Sequence, residues 1–211
     1  MNIQDRAIQQ YCQKHSTPVS KILYQLERET HLKTLAPQML SGSLQGQFLT
    51  FLSKMIQPEA ILEIGTFTGY AAICMAQGLS ERGTLHSIET NRELEYIIRK
   101  YIRLADLEEK IVLHIGNAKT IIPQLEKRWD LVFIDAGKWH NAFYYDLIID
   151  RVQPGGLILI DNVLWSGKVL QPAQDKDAAA IHQFNEKVQA DKRVENVLLP
   201  LRDGLMIVRR L

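Results

Sequence analysis

Residues 60–80 read AILEIGTFTGYAAICMAQGLS. A short apolar run meets two glycines, Gly65 and Gly69, and then a stretch of small and apolar residues. That is a buried strand, a tight turn and a helix, the opening of a β-α-β unit. The unit recurs downstream. TLHSIE (84–89) precedes RELEYIIRKYIRLA, IVLHIG (111–116) precedes AKTIIPQL, DLVFID (130–135) precedes FYYDLIIDRV, and GLILID (156–161) is a fifth strand. These apolar runs do not alternate with polar residues, which suits strands buried on both faces of a parallel sheet. After the helix DAAAIHQFNEKVQA, the segments VENVLLPL and LMIVRRL are joined by RDG and read as an antiparallel hairpin. The expected fold is α/β: a mostly parallel seven-stranded sheet, helices on both faces, and a reversed C-terminal pair.

Upstream of the repeating unit, STPVSKILYQLERETHL predicts a helix with Thr17 as N-cap and Pro18 at its first position. Its apolar face is Val19, Ile22, Leu23 and Leu26. LQGQFLTFLSKMI predicts another helix, stopped near Pro58. At 211 residues, with 46% hydrophobic and 23% charged residues, the chain fits one soluble domain. A net charge of +1 gives no field to draw in nucleic acid or a membrane surface. No apolar run reaches the length of a membrane span, and the N-terminus lacks the apolar core of a secretory signal. Cys12 and Cys74 have no metal-binding spacing, so the expected compartment is the cytoplasm with reduced thiols.

Ligands gather outside the carboxyl ends of parallel strands. The first strand ends E-x-G-x-x-x-G at Glu63, Gly65 and Gly69, unlike the G-x-G-x-x-G of a dinucleotide site. Gly65 lets the backbone approach a ligand closely, and Gly69 tightens the turn into the helix. Glu89, ending the second strand, has the spacing at which a carboxylate grips ribose hydroxyls; a solvated loop acid is the bland alternative. Asn117, after the third strand, can read an adenine edge or simply favour a turn. The fourth strand ends on Asp135, with Lys138 three residues on, and the fifth on Asp161 and Asn162. Neighbouring carboxylates repel unless a cation sits between them. Two Asp oxygens and an Asn carbonyl are hard ligands suited to Mg²⁺, Ca²⁺ or Mn²⁺ rather than zinc. The competing reading is that Asp161-Asn162 caps a turn and Asp135 pairs with Lys138.

The glycine loop, the acid after the second strand and the reversed hairpin resemble the class I S-adenosylmethionine-dependent methyltransferases, which have a Rossmann-like fold. EIGTFTGY, FIDAGK and DNVLWSGKV narrow the resemblance to the cation-dependent O-methyltransferases, the family of the caffeoyl-CoA and catechol enzymes. The likeness runs from about QMLSGSLQGQFL to the C-terminus. It implies metal ligands at Asp135, Asp161 and Asn162, and Lys138 beside the acceptor hydroxyl. It implies a cofactor site from Met39, Leu40, Ser41, Glu63, Gly65, Phe67, Gly69, Tyr70, Ala71, Glu89, Thr90, Gly116, Asn117, Ala118 and Asp135. Met39, Leu40 and Ser41 match the segment that closes over the sulfonium, and Ser41 a position near the metal.

In one domain spanning 1–211, the helices of 1–57 would then supply cofactor lid, acceptor or dimer contacts to a core of 58–211. The chain departs from the family pattern at Gly137, where many members carry an acid, at Ala71, commonly serine, and at Asn117, frequently an acid. The implied reaction is methylation of a small ortho-dihydroxy phenol by a homodimeric enzyme. The metal favours the ionised phenol, and Lys138 accepts the phenolic proton or steadies the charge. Trp139, His140, Tyr144, Tyr145 and Trp165 are candidates for an aromatic acceptor pocket, Trp165 first, although most such residues pack in a core. The rival readings are a nicotinamide-dependent oxidoreductase, a family member that has lost activity, and an RNA methyltransferase.

Overall fold

A computed structural model describes residues 6–211; the side chains of Arg6 and Lys138 lie outside that description. Seven strands form one sheet in the order β3-β2-β1-β4-β5-β7-β6. β1 (Ala60–Ile64), β2 (Thr84–Glu89), β3 (Ile111–Ile115), β4 (Trp129–Ile134) and β5 (Val152–Asp161) pair in parallel. β7 (Leu205–Arg210) runs antiparallel between β5 and β6 (Val194–Leu199). The expected parallel sheet with a reversed hairpin is therefore the observed one. β5 begins earlier than the GLILID run because Val152 already pairs with Trp129 across a register shift.

Successive residues of β1 feed two separate cores, which is why its sequence does not alternate. Ala60, Leu62 and Ile64 pack with α7 (Asn141–Ile148) and α8 (Lys176–Ala190) through Tyr145, Ile148, Ile181 and Phe184. Ile61 joins the opposite core, with α2 (Lys21–Lys33), α3 (Gly42–Ile56), α4 (Tyr70–Ala76) and α5 (Glu95–Leu104). Leu23 and Leu26 are buried there, so the apolar face of α2 packs within its own chain. The short helix α6 (Ala118–Ile121) follows β3. Among the described residues, no helix is long and apolar enough to cross a membrane.

The N-terminal region corrects the sequence reading twice. α1 (Arg6–Lys14) is a helix that its mixed polar sequence did not announce. α2 starts at Lys21, capped by Ser20, whose Oγ accepts the Leu23 N–H at 3.2 Å, and not at Thr17-Pro18. The Thr17 and Pro18 carbonyls instead accept from Gln47 Nε2, which ties the stretch before α2 to α3.

His86 on β2 gives the fold a pH dependence. It stacks on His114, with 3.0 Å between Nδ1 and Nε2, and meets the edge of Trp129. Burial, with Lys127 and His114 adding repulsion, pushes its pKa down to about 4. An unfolded histidine titrates near 6.5. Between these values the unfolded chain binds a proton that the folded one rejects. Stability is therefore full above pH 6.5 and falls as pH drops toward 4. Urea denaturation at pH 7 and pH 5 should reveal a loss on the order of 2 kcal/mol, reduced in His86→Asn; equal slopes in the two proteins would remove His86 as the cause.

Candidate active site

A cavity of about 1180 Å³ opens outside the carboxyl ends of β1, β2, β4 and β5. Of the residues expected to form a site, Met39, Gly65, Phe67, Glu89, Thr90, Asn117, Ala118, Asp135, Asp161, Asn162 and Trp165 line it. Leu40, Ser41, Glu63, Gly69, Tyr70, Ala71 and Gly116 do not. Leu40 and Ser41 border a smaller neighbouring cavity of about 310 Å³, Tyr70 and Ala71 are buried in α4, and Glu63 is wholly buried.

The glycine loop is held from beneath and from the side. Gly65 has φ +96°, and a Cβ there would stand 2.1 Å from the Asp135 carbonyl oxygen. Its lack of a side chain thus lets the end of β4 close onto the end of β1, a reason the sequence alone did not give. Gly69 also has positive φ, +94°, at the turn into α4. Phe67 adopts φ +52°, a conformation that costs a non-glycine residue about 1 kcal/mol or more, and its N–H donates to Glu89 Oε2 at 2.7 Å. The other Glu89 oxygen accepts the Asn91 N–H at 2.8 Å. Glu89 therefore organises the loops on both sides of it while facing the cavity.

Below the loop, Ser87 Oγ donates to Glu63 Oε2 and contacts Thr66 Oγ1. Burial pushes the Glu63 carboxyl up to about 8, with Asp135 and Glu89 adding to the effect. A protonated Glu63 removes one of three clustered acidic charges.

Asp135 and Asp161 each follow the last paired residues of adjacent strands, Ile134 and Ile160. Both line the cavity, together with Asn162. Asp161 is only 3% exposed, yet its two oxygens are individually fixed: Oδ1 accepts the Asn162 N–H at 2.8 Å, and Oδ2 accepts from Gln45 Nε2 at 2.9 Å. Asn162 stands at φ +60°. Gln45, on α3, escaped the sequence reading. It is 1% exposed, and its Oε1 has no hydrogen-bond partner. The available signal was a polar residue four before Leu49 on a buried stripe that also contains Ser53. Among the described residues, no group of three or more His, Cys, Asp and Glu side chains is placed to hold a metal. The candidate donor set is two carboxylates and one amide. Lys138 begins a short 3-10 turn ending at His140, and the expectation for its side chain falls outside the described residues.

Asn117 caps α6, its Oδ1 accepting the Lys119 N–H at 3.0 Å, and still lines the cavity. His140, Tyr144 and Trp165 line the cavity as well. Trp165 is half-buried, its indole N–H has no partner, and its φ is +48°. Trp139 is exposed. Tyr145 is buried with its hydroxyl donating to Asp191, away from the cavity, which explains it as a packing residue.

Residues 13–211 match the family model described as O-methyltransferase. The chain is 28% identical to a caffeoyl-CoA O-methyltransferase of Stellaria longipes, over 99% of this chain and 94% of the relative. It is 35% identical to caffeoyl-CoA O-methyltransferase 2 of Eucalyptus globulus, over 82% and 75% respectively. The crystal structure of an O-methyltransferase from Bacillus cereus in complex with SAH superposes with a TM-score of 0.90 at 29% identity, covering 97% of both chains.

Proposed function

The chain belongs to the O-methyltransferase family, and from that premise we propose that it moves a methyl group from S-adenosylmethionine to one oxygen of a small ortho-dihydroxy aromatic, aided by a divalent cation. The observation that carries this reading is the meeting of Asp135, Asp161 and Asn162 with the glycine loop and Glu89 around one cavity. The donors suit a hard cation. Each Asp161 oxygen takes one fixed N–H, and a carboxylate oxygen keeps a further lone pair for an ion. The cavity is large enough for a nucleoside-bearing cofactor beside a small phenol.

When bound, S-adenosylmethionine supplies a methyl group activated by its sulfonium, and the cation supplies a Lewis acid that favours the ionised phenol. The chain supplies placement. Glu89 accepts the ribose hydroxyls while pinning Phe67 and the glycine loop. Asn117 and Ala118 border the adenine, and Met39 covers the sulfonium end. Asp135, Asp161 and Asn162 hold the cation. Lys138, three residues after Asp135, takes the phenolic proton. Trp165 and Tyr144 flank the aromatic ring. Orientation of the two reactants provides the remaining advantage.

Glu89→Ala removes both the ribose acceptor and the loop anchor. Calorimetry should find S-adenosylhomocysteine bound roughly a hundredfold more weakly, and equal affinity would reject the ribose role. The reaction itself is tested by a methyl-transfer screen over catechols and caffeoyl esters, with and without chelator. Transfer to vicinal diols that stops in chelator is expected. Transfer to monophenols alone, or undiminished in chelator, contradicts the proposal.

A further inference from the structure

The turn between β6 and β7 touches both rims of the cavity. Its residues, 201 to 204, are closed by the Gly204 N–H donating to the Leu201 carbonyl at 3.0 Å. Arg202 stands at φ +53°, a position that mirror-image turns usually give to glycine. From there its guanidinium reaches back to the segment before α3. Nη1 donates to the Leu40 carbonyl at 2.6 Å and to the Ser41 carbonyl, and Nη2 to the Gln38 carbonyl at 3.3 Å. That segment, with the 3-10 turn Pro37–Met39, is closed from within by Met39 N–H on Ala36 and Leu40 N–H on Pro37. Arg202 closes it from outside.

The next residue faces the other rim. Asp203 Oδ1 accepts the Ser166 N–H, and its carbonyl accepts the Leu164 N–H at 2.8 Å. The Gly204 carbonyl accepts the Val163 N–H at 3.1 Å. These contacts hold the stretch that leaves Asn162 and carries Trp165. Trp165 and Ser166 both have positive φ, a backbone that persists only when its surroundings fix it. The packing is direct: a Cβ at Gly204 would lie 2.4 Å from Leu164 Cγ.

We propose that Arg202 and Asp203 are positioning residues with separable tasks. Arg202 sets the 37–41 rim and hence cofactor affinity, and Asp203 sets the 163–166 rim and hence acceptor binding. The assignment of the two rims to cofactor and acceptor rests on the function proposed above. Arg202 itself lines the cavity beside the rim it holds, and Asp203 acts through the wall it holds, so each should alter binding more than turnover.

The test uses Arg202→Gly, which suits the left-handed backbone, and Asp203→Ala. Amide hydrogen exchange of the whole protein, without ligand, reads the rims directly. Arg202→Gly should speed exchange in 37–41 and spare 163–166; Asp203→Ala should do the reverse. With S-adenosylhomocysteine in calorimetry, Arg202→Gly should raise Kd about tenfold while the catechol KM stays within about twofold. Asp203→Ala should raise that KM about fivefold and leave Kd within about twofold. Arg202→Lys should recover part of the lost affinity. The proposal is overturned if exchange in both rims changes together in both variants, or in neither, or if Kd and KM move in parallel with the melting temperature. Wild-type protein that binds no S-adenosylhomocysteine would contradict the cofactor reading instead, and the exchange result would still decide whether the turn holds the rims.

Discussion

Asp161→Ala is expected to lower methyl transfer at saturating Mg²⁺ at least a thousandfold while leaving S-adenosylhomocysteine affinity within about threefold of wild type. The first number follows from the site: Asp161 supplies one of only two carboxylates among the candidate cation ligands. The second follows from its separation along the sheet from the proposed cofactor contacts, since the glycine loop follows β1 and Glu89 ends β2. The substitution has a structural cost as well. It strips Gln45 Nε2 of its acceptor, and the Oε1 of that buried amide is already unpartnered. A buried donor left unpaired costs about 1–3 kcal/mol, so the melting temperature should fall too. Asp161→Asn separates the effects: it keeps an acceptor for Gln45, restoring most of the stability, but removes the charge. Full turnover in either variant would remove Asp161 from the reaction.

Gly65→Ala is expected to damage stability and cofactor binding together. The new methyl carbon would sit 2.1 Å from the Asp135 carbonyl oxygen and 2.8 Å from its carbon, both backbone atoms. It would also occupy φ +96°. No rotamer relieves either problem, so the end of β1 must part from the end of β4. A loss of roughly 3 kcal/mol or more follows, about 10 °C in melting temperature, with cofactor affinity reduced at least a hundredfold. Gly167→Ala is the matched control, because Gly167 also has positive φ, +80°, but nothing within 4 Å of the added carbon. It should lose only about 1 kcal/mol. If the two variants melt together, close approach at Gly65 is not what the glycine provides.

The sheet was legible because its strands are short apolar runs bounded by turn residues, a signal carried within a few positions. The carboxyl ends were legible for the same reason: a charge placed directly after such a run marks the sheet edge where ligands collect. What escaped depends on partners distant in sequence. Gln45 meets Asp161 across 116 residues, and Arg202 meets Leu40 across 162. The stripe shared with Leu49 and Ser53 marks Gln45 as buried, but nothing local names Asp161 as its partner. Glu89 was read as a ligand contact, but its grip on the Phe67 N–H depends on how two loops meet above the sheet. The start of α2 was misplaced because Thr17-Pro18 has the composition of a helix start, whereas tertiary bonds from Gln47 occupy its carbonyls and Ser20 provides the cap.

The proposed reaction stands on Asp135, Asp161 and Asn162 sharing a divalent ion. Its most direct test is a Mn²⁺ titration of chelator-stripped protein followed by electron paramagnetic resonance of the free ion, comparing wild type with Asp161→Ala. One saturable site per chain in wild type, absent from the variant, is the predicted result. A wild-type protein that takes up no Mn²⁺, or a variant that binds it equally well, would contradict the account.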